Sequence, residues 1–183
     1  DNPGKTVIAD VKCSKNLFDD IKTHGGIPMM YKTGHANIKM KMQELGVECA
    51  GEMSGHMFFK DKYLGFDDAI YAGARLVEIV SKTDAPVSTY LADQPKMFVT
   101  PEIHIPCEDK RKHDVVHKVC GEFKAEGYDV TDIDGARITF ADGWGLIRAS
   151  NTTPVLVTRY EAVSQERVEE IKKLIEEKVN KWL

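Results

Sequence analysis

The chain has 183 residues, 42% of them hydrophobic, enough to bury a sizeable core in one large domain or two small ones. Its net charge of −4 at pH 7 excludes a general binder of nucleic acid or anionic membranes, which needs a basic field to gather phosphates. The longest apolar runs are too short to span a bilayer and the amino terminus lacks the basic, apolar, small-residue order of a signal segment, so a cytoplasmic location is expected.

In chain order, "TVIADV" is an apolar run of β-type residues that begins almost at once. A chain that starts on Asp1 rather than Met and enters a strand so early is expected to be a piece of a longer protein. "NLFDDIKTHGG" spaces Leu17, Phe18 and Ile21 as a helix and stops at a Gly pair. "IPMMYK" is extended, "ANIKMKMQELG" carries Ile38, Met42 and Leu45 on one helical side, and "VECAGEM" returns to strand. Strand, helix, strand, helix, strand predicts a mostly parallel sheet with right-handed crossovers, an α/β domain. "AIYAGARLVEIVSK" is a further helix, with Asp67 or Asp68 as its cap. "TDAPVSTYLADQPKMFVTPE" has no sustained period and carries Pro86, Pro95 and Pro101; the domain boundary is expected near Pro95, dividing 1–95 from 96–183.

The second half has another rhythm. "EIHIP" is a strand, and "DKRKHDVVHKVCGEFKAEG" is a helix with Val115, Val116, Val119 and Phe123 inward. "YDVTDIDGARITF", "GWGLIRAS" and "PVLVTRYEA" are strand-like, and the last helix puts Val168, Ile171, Leu174, Ile175, Val179 and Trp182 on one face. Glu169 with Lys173, and Glu177 with Lys181, are expected to support its wet face. Strands gathered between two helices predict an antiparallel sheet with helices on one side, an α+β domain.

Four patterns could carry chemistry. If "AGEMSGHMFF" is extended, Glu52, Ser54 and His56 share one face, and a carboxylate, a hydroxyl and an imidazole suit adjacent sugar hydroxyls. A polar strand edge beside a turn accounts for the same alternation. In "GWGLIRASNTTP", Arg148, Ser150, Asn151 and Thr152 combine a charged fork with hydroxyl and amide donors, which suits a phosphate; a polar Ser-Asn-Thr-Thr-Pro turn is the plainer alternative. "HDVVH" has the spacing of a zinc-protease helix with Asp for Glu, but no third ligand is evident. His113 and His117 lie among Lys110, Arg111, Lys112 and Lys118, the pattern of a solvated face. Lys12 after the first strand and "KTGH", ending in His35, after the second fall at carboxyl ends of the expected parallel sheet, where open α/β folds bind ligands. Cys13, Cys49, Cys107 and Cys120 form no Cys-x-x-Cys pair and fit four reduced thiols.

Taken together and in this order, "DVKCS", "YKTGH", "GEMSGHMFF", "GFDDAIYAGARL" and "GWGLIRASNTTPVLVTRYEA" resemble the carboxyl-terminal half of the α-D-phosphohexomutase family, nearest its phosphomannomutase/phosphoglucomutase branch. The resemblance implies most of the family's third domain, a three-layer α/β unit lacking its leading helix, followed by the whole of the fourth. It implies that Lys12, His35, Glu52, Ser54 and His56 meet the sugar, with His35 a candidate proton carrier, and that Arg148, Ser150, Asn151 and Thr152 hold the phosphate that is not transferred. The implied ligands are mannose and glucose 1- and 6-phosphates and hexose 1,6-bisphosphate. Neither the family's phosphoserine loop, Thr-x-Ser-His-Asn-Pro, nor its magnesium loop, Asp-Gly-Asp-Gly-Asp-Arg, occurs in these residues. Magnesium is therefore expected in amino-terminal domains of the parent, none in this chain, and the chain alone is expected to be inactive. A stand-alone sugar-phosphate binding module is the alternative.

Overall fold

The computed structural model describes residues 3–183. They form two compact units, one ending at Pro95 and one running from Lys96 to Leu183.

The first unit runs β1 (Thr6–Asp10), α1 (Lys15–Thr23), β2 (Ile27–Tyr31), α2 (His35–Leu45), β3 (Cys49–Gly51), β4 (Met57–Phe59) and α3 (Ala69–Val80). The sheet order is β2-β1-β3-β4, with β1 parallel to both its neighbours and β4 antiparallel to β3. Successive residues of β1 serve opposite faces. Ile8 packs with Ala50, Phe58 and the α2 residues Ile38 and Met42, whereas Ala9 packs with Phe18 of α1. The helices begin and end where local chemistry allows. Ser14 Oγ accepts the Asn16 N–H at 3.2 Å to cap α1, Asp68 Oδ1 accepts the Tyr71 N–H at 2.9 Å to cap α3, and Gly46 closes α2 in the left-handed region.

One expectation fails. The strand read in "VECAGEM" ends at Gly51, because the chain turns back on itself. The Gly55 N–H donates to the Glu52 carbonyl at 2.9 Å and the Glu52 N–H to the His56 carbonyl at 2.9 Å, closing a hairpin into β4. Residues 52–56 are thus a turn, to which two-residue alternation does not apply.

The second unit comprises β5 (Phe98–Val99), β6 (Ile103–Pro106), α4 (Lys112–Ala125), β7 (Asp129–Thr131), β8 (Ala136–Phe140), β9 (Gly143–Ala149), β10 (Val155–Ala162) and α5 (Gln165–Trp182). All its strand pairs are antiparallel; β10 pairs with β9 on one side and with β5 and β6 on the other, and β8 and β7 extend the sheet beyond β9. Val115, Val119 and Phe123 of α4 and Val168, Ile171, Ile175 and Val179 of α5 join Ile138, Ile147 and Tyr160 in one core. Helix α5 rides close to the backbone of β9: a Cβ added at Gly145 would lie 2.3 Å from Ile175 Cδ1. The pairs expected along its own face are replaced: Glu169 lies 3.9 Å from Lys172 rather than Lys173, and Lys181 reaches across to α4, its Nζ 2.5 Å from Glu122 Oε1, with Lys178 Nζ 3.4 Å from Glu122 Oε2. No helix among the described residues is long and apolar enough to cross a membrane.

Candidate functional site

Three loops leave the carboxyl ends of β1, β2 and β3, and one buried carboxylate fastens them. Asp10, at the end of β1, is fully buried. Its Oδ1 accepts the Cys13 thiol at 3.0 Å and the Met53 N–H at 3.2 Å, and its Oδ2 accepts the Thr33 hydroxyl at 3.3 Å. Glu52 adds a second latch, its Oε1 accepting the Gly34 N–H at 2.7 Å. Gly34 has φ +117°, a conformation that costs a side-chain-bearing residue dearly, and it presents that N–H just before α2 begins. Asp10 opens the quoted "DVKCS" but was given no role in the sequence; its place as the last residue of a buried parallel strand was the available signal.

Lys12, His35, Glu52, Ser54 and His56 all lie along this edge, but they do not form a single exposed face. Lys12 is buried, and the Glu52 side chain is 2% exposed, turned inward to its latch. His35 is exposed and is the first residue of α2 rather than part of the preceding loop. Ser54 and His56 are exposed and bonded to each other, Oγ to Nδ1 at 2.9 Å, while Glu52 Oε2 lies 3.7 Å from the same imidazole nitrogen. An open cleft of about 370 Å³ adjoins them, lined by Ser54, His56, Met57, Asp67 and Asp68. There the Tyr63 hydroxyl, donating to Asp68 at 2.6 Å, together with the Tyr71 N–H, holds the Asp68 carboxyl below its usual range.

The loop expected to hold a phosphate follows β9. Arg148 is buried and uses two of its nitrogens on Asp134, Nε at 3.2 Å and Nη2 at 3.3 Å. Ser150 Oγ lies 2.8 Å from Thr153 Oγ1 and accepts the Thr153 N–H at 3.2 Å, so this hydroxyl shapes the loop. Asn151 and Thr152 are exposed. His113 and His117 are exposed on α4 as expected, and among the described residues no group of three or more His, Cys, Asp or Glu could hold a metal ion. Lys112 departs from the solvated face assigned to it. It is 5% exposed, and its Nζ donates to the carbonyls of Ser150 at 2.6 Å and Thr153 at 3.3 Å.

Two family models match this chain: phosphoglucomutase/phosphomannomutase alpha/beta/alpha domain III over residues 1–98, and the phosphoglucomutase/phosphomannomutase C-terminal domain over residues 102–178. The chain belongs to the phosphoglucomutase/phosphomannomutase family. Among the members of that family, it is 47% identical over 171 residues to the phosphomannomutase/phosphoglucomutase of Pseudomonas putida and 49% identical over 172 residues to the phosphoglucomutase of Neisseria gonorrhoeae. Each alignment takes in 93% of this chain and 37% of the relative, so the chain spans little more than a third of the curated relatives it matches. A crystal structure of a phosphoglucomutase/phosphomannomutase family protein from Burkholderia thailandensis superposes with a TM-score of 0.87 at 42% identity, over 97% of this chain and 38% of that one. The family's description of its third domain as alpha/beta/alpha agrees with α1 and α2 on opposite faces of the first sheet.

Proposed function

We propose that the chain is the sugar-phosphate-binding portion of a phosphohexomutase, an isomerase that interconverts hexose 1-phosphate and hexose 6-phosphate through a phosphoserine and a bisphosphorylated sugar. Lys12, Glu52, Ser54 and His56 recognise hexose hydroxyls, and His35 carries a proton near the reacting hydroxyl. Arg148, Ser150, Asn151 and Thr152 hold the phosphate that is not transferred. The ligands are mannose or glucose phosphates and the hexose 1,6-bisphosphate between them. The observation that carries this reading is the fastening of three loops by Asp10 and Glu52 at the carboxyl edge of the parallel strands, where open α/β sheets take their ligands. Phosphoryl transfer depends chiefly on positioning and charge, and fastened loops supply positioning.

Magnesium is proposed to belong to other domains of the parent, because the family's magnesium loop, Asp-Gly-Asp-Gly-Asp-Arg, does not occur in these residues, and no step is derived through it. Four free thiols suit a parent that works in the cytoplasm. The test is a split in ligand response. Arg148→Ala is expected to weaken glucose 1-phosphate and inorganic phosphate about tenfold or more while leaving glucose unchanged. Glu52→Gln keeps an oxygen for the Gly34 N–H and is expected to weaken glucose without affecting inorganic phosphate. NMR titration with the three compounds reads the outcome; equal effects of both variants on all three would overturn the assignment.

A further inference from the structure

We propose that Lys112 is the positioning residue of the phosphate loop, holding residues 150–153 in their binding shape from behind. This rests on the reading of that loop as a phosphate site. Lys112 opens α4, where the helix dipole disfavours a cation, and it is 5% exposed, where an unmatched ammonium is costly. Three acceptors offset both penalties: Asp109 Oδ1 at 2.6 Å, the Ser150 carbonyl at 2.6 Å and the Thr153 carbonyl at 3.3 Å. An ammonium has three donors, so the set is complete.

The two carbonyls flank Asn151 and Thr152, within the exposed stretch 151–154. Between them Asn151 and Thr152 are exposed, whereas the Ser150 N–H is spent on the Val155 carbonyl at 3.0 Å and its hydroxyl on Thr153. The loop is therefore closed from within by Ser150 and from beneath by Lys112, whose three donors are all engaged within the protein. Its charge adds positive potential behind the anion, and its bonds fix where the Asn151 and Thr152 donors stand. A Lys inside a basic run reads as surface chemistry; here the fold turns it inward.

The experiment uses the 183-residue chain with Lys112→Met, Lys112→Gln and Lys112→Arg, scored by amide exchange at residues 150–153 and by titration with inorganic phosphate, glucose 1-phosphate and glucose. Lys112→Met is expected to speed exchange across the loop and weaken both phosphate-bearing ligands about tenfold, with glucose unaffected. Lys112→Arg is expected to recover most of both losses, and Lys112→Gln stands in should the Met variant not fold. Faster exchange with unchanged phosphate affinity would mean a purely structural role and overturn the proposal. Weaker phosphate binding with an unchanged loop would mean charge alone, and would overturn it too. If the unmodified chain gives no response to phosphate, the phosphate-site reading falls together with this proposal. If it responds, and loses the response in Arg148→Ala but not in Lys112→Met, only the role of Lys112 falls.

Discussion

Asp10 collects a thiol, a hydroxyl and an amide from three different loops on one fully buried carboxylate. Asp10→Ala would remove the acceptor of the Met53 N–H and of the Thr33 hydroxyl in one change, at a cost of about 3 kcal/mol. Asp10→Asn, which keeps one carbonyl oxygen, is expected to cost less than half as much, and chemical denaturation of the two variants measures both. At this scale the sequence was legible in residue type and misleading in direction. Glu52 was singled out correctly as a polar residue of the edge, but alternation presupposes a strand, and the hairpin bonds of Glu52 and Gly55 replace the strand with a turn that buries the carboxylate. Lys112 was hidden for the opposite reason: its neighbours Arg111 and His113 are exposed, and helical position alone does not say that two loop carbonyls lie under the third.

Among the elements, α4 and α5 share a core and several polar contacts, and one carboxylate of that joint gathers three donors. Lys181, Lys178 and the Trp182 indole N–H all reach Glu122. The Lys181 ammonium first, then the Trp182 and Lys178 donors, hold the Glu122 carboxyl below the usual glutamate range despite the opposing effect of desolvation. A carboxyl with a depressed folded-state pKa stabilises above its unfolded value and loses that contribution as pH falls through the folded one. Glu122→Gln is therefore expected to be less stable than the parent near neutrality, with the gap closing as the pH drops below about 4. Denaturation midpoints of the two proteins across that range check it; a gap that widens in acid would contradict the assignment. The helices themselves were readable, because Val115, Val119 and Phe123, and Val168, Ile171, Ile175 and Val179, recur at helical spacing and do face a core. β4 was not, because three residues carry no period and its pairing with β3 is made across the turn.

Taken whole, the molecule consists of two units with separate hydrophobic cores, and their order of elements followed from the change of rhythm along the chain. The role proposed for the loops is recognition, and the 183 residues contain neither of the two motifs through which the resemblance delivers phosphate. Purified chain incubated with mannose 1-phosphate and magnesium is expected to give no mannose 6-phosphate above the no-protein control; steady turnover would show that a reactive group is present within these residues.

The turn at residues 52–56 also separates two kinds of freedom. Its shape is kept by backbone bonds, by Asp10 and by the inward carboxylate of Glu52, while the side chains of Ser54 and His56 are exposed. On the proposed sugar-binding reading, exchanges at 54 and 56 are expected to change ligand preference without rebuilding the frame, whereas a side chain at Gly34, at φ +117°, would disturb the frame itself. A library confined to the two outward positions would vary the chemistry the turn presents while its frame stays unchanged.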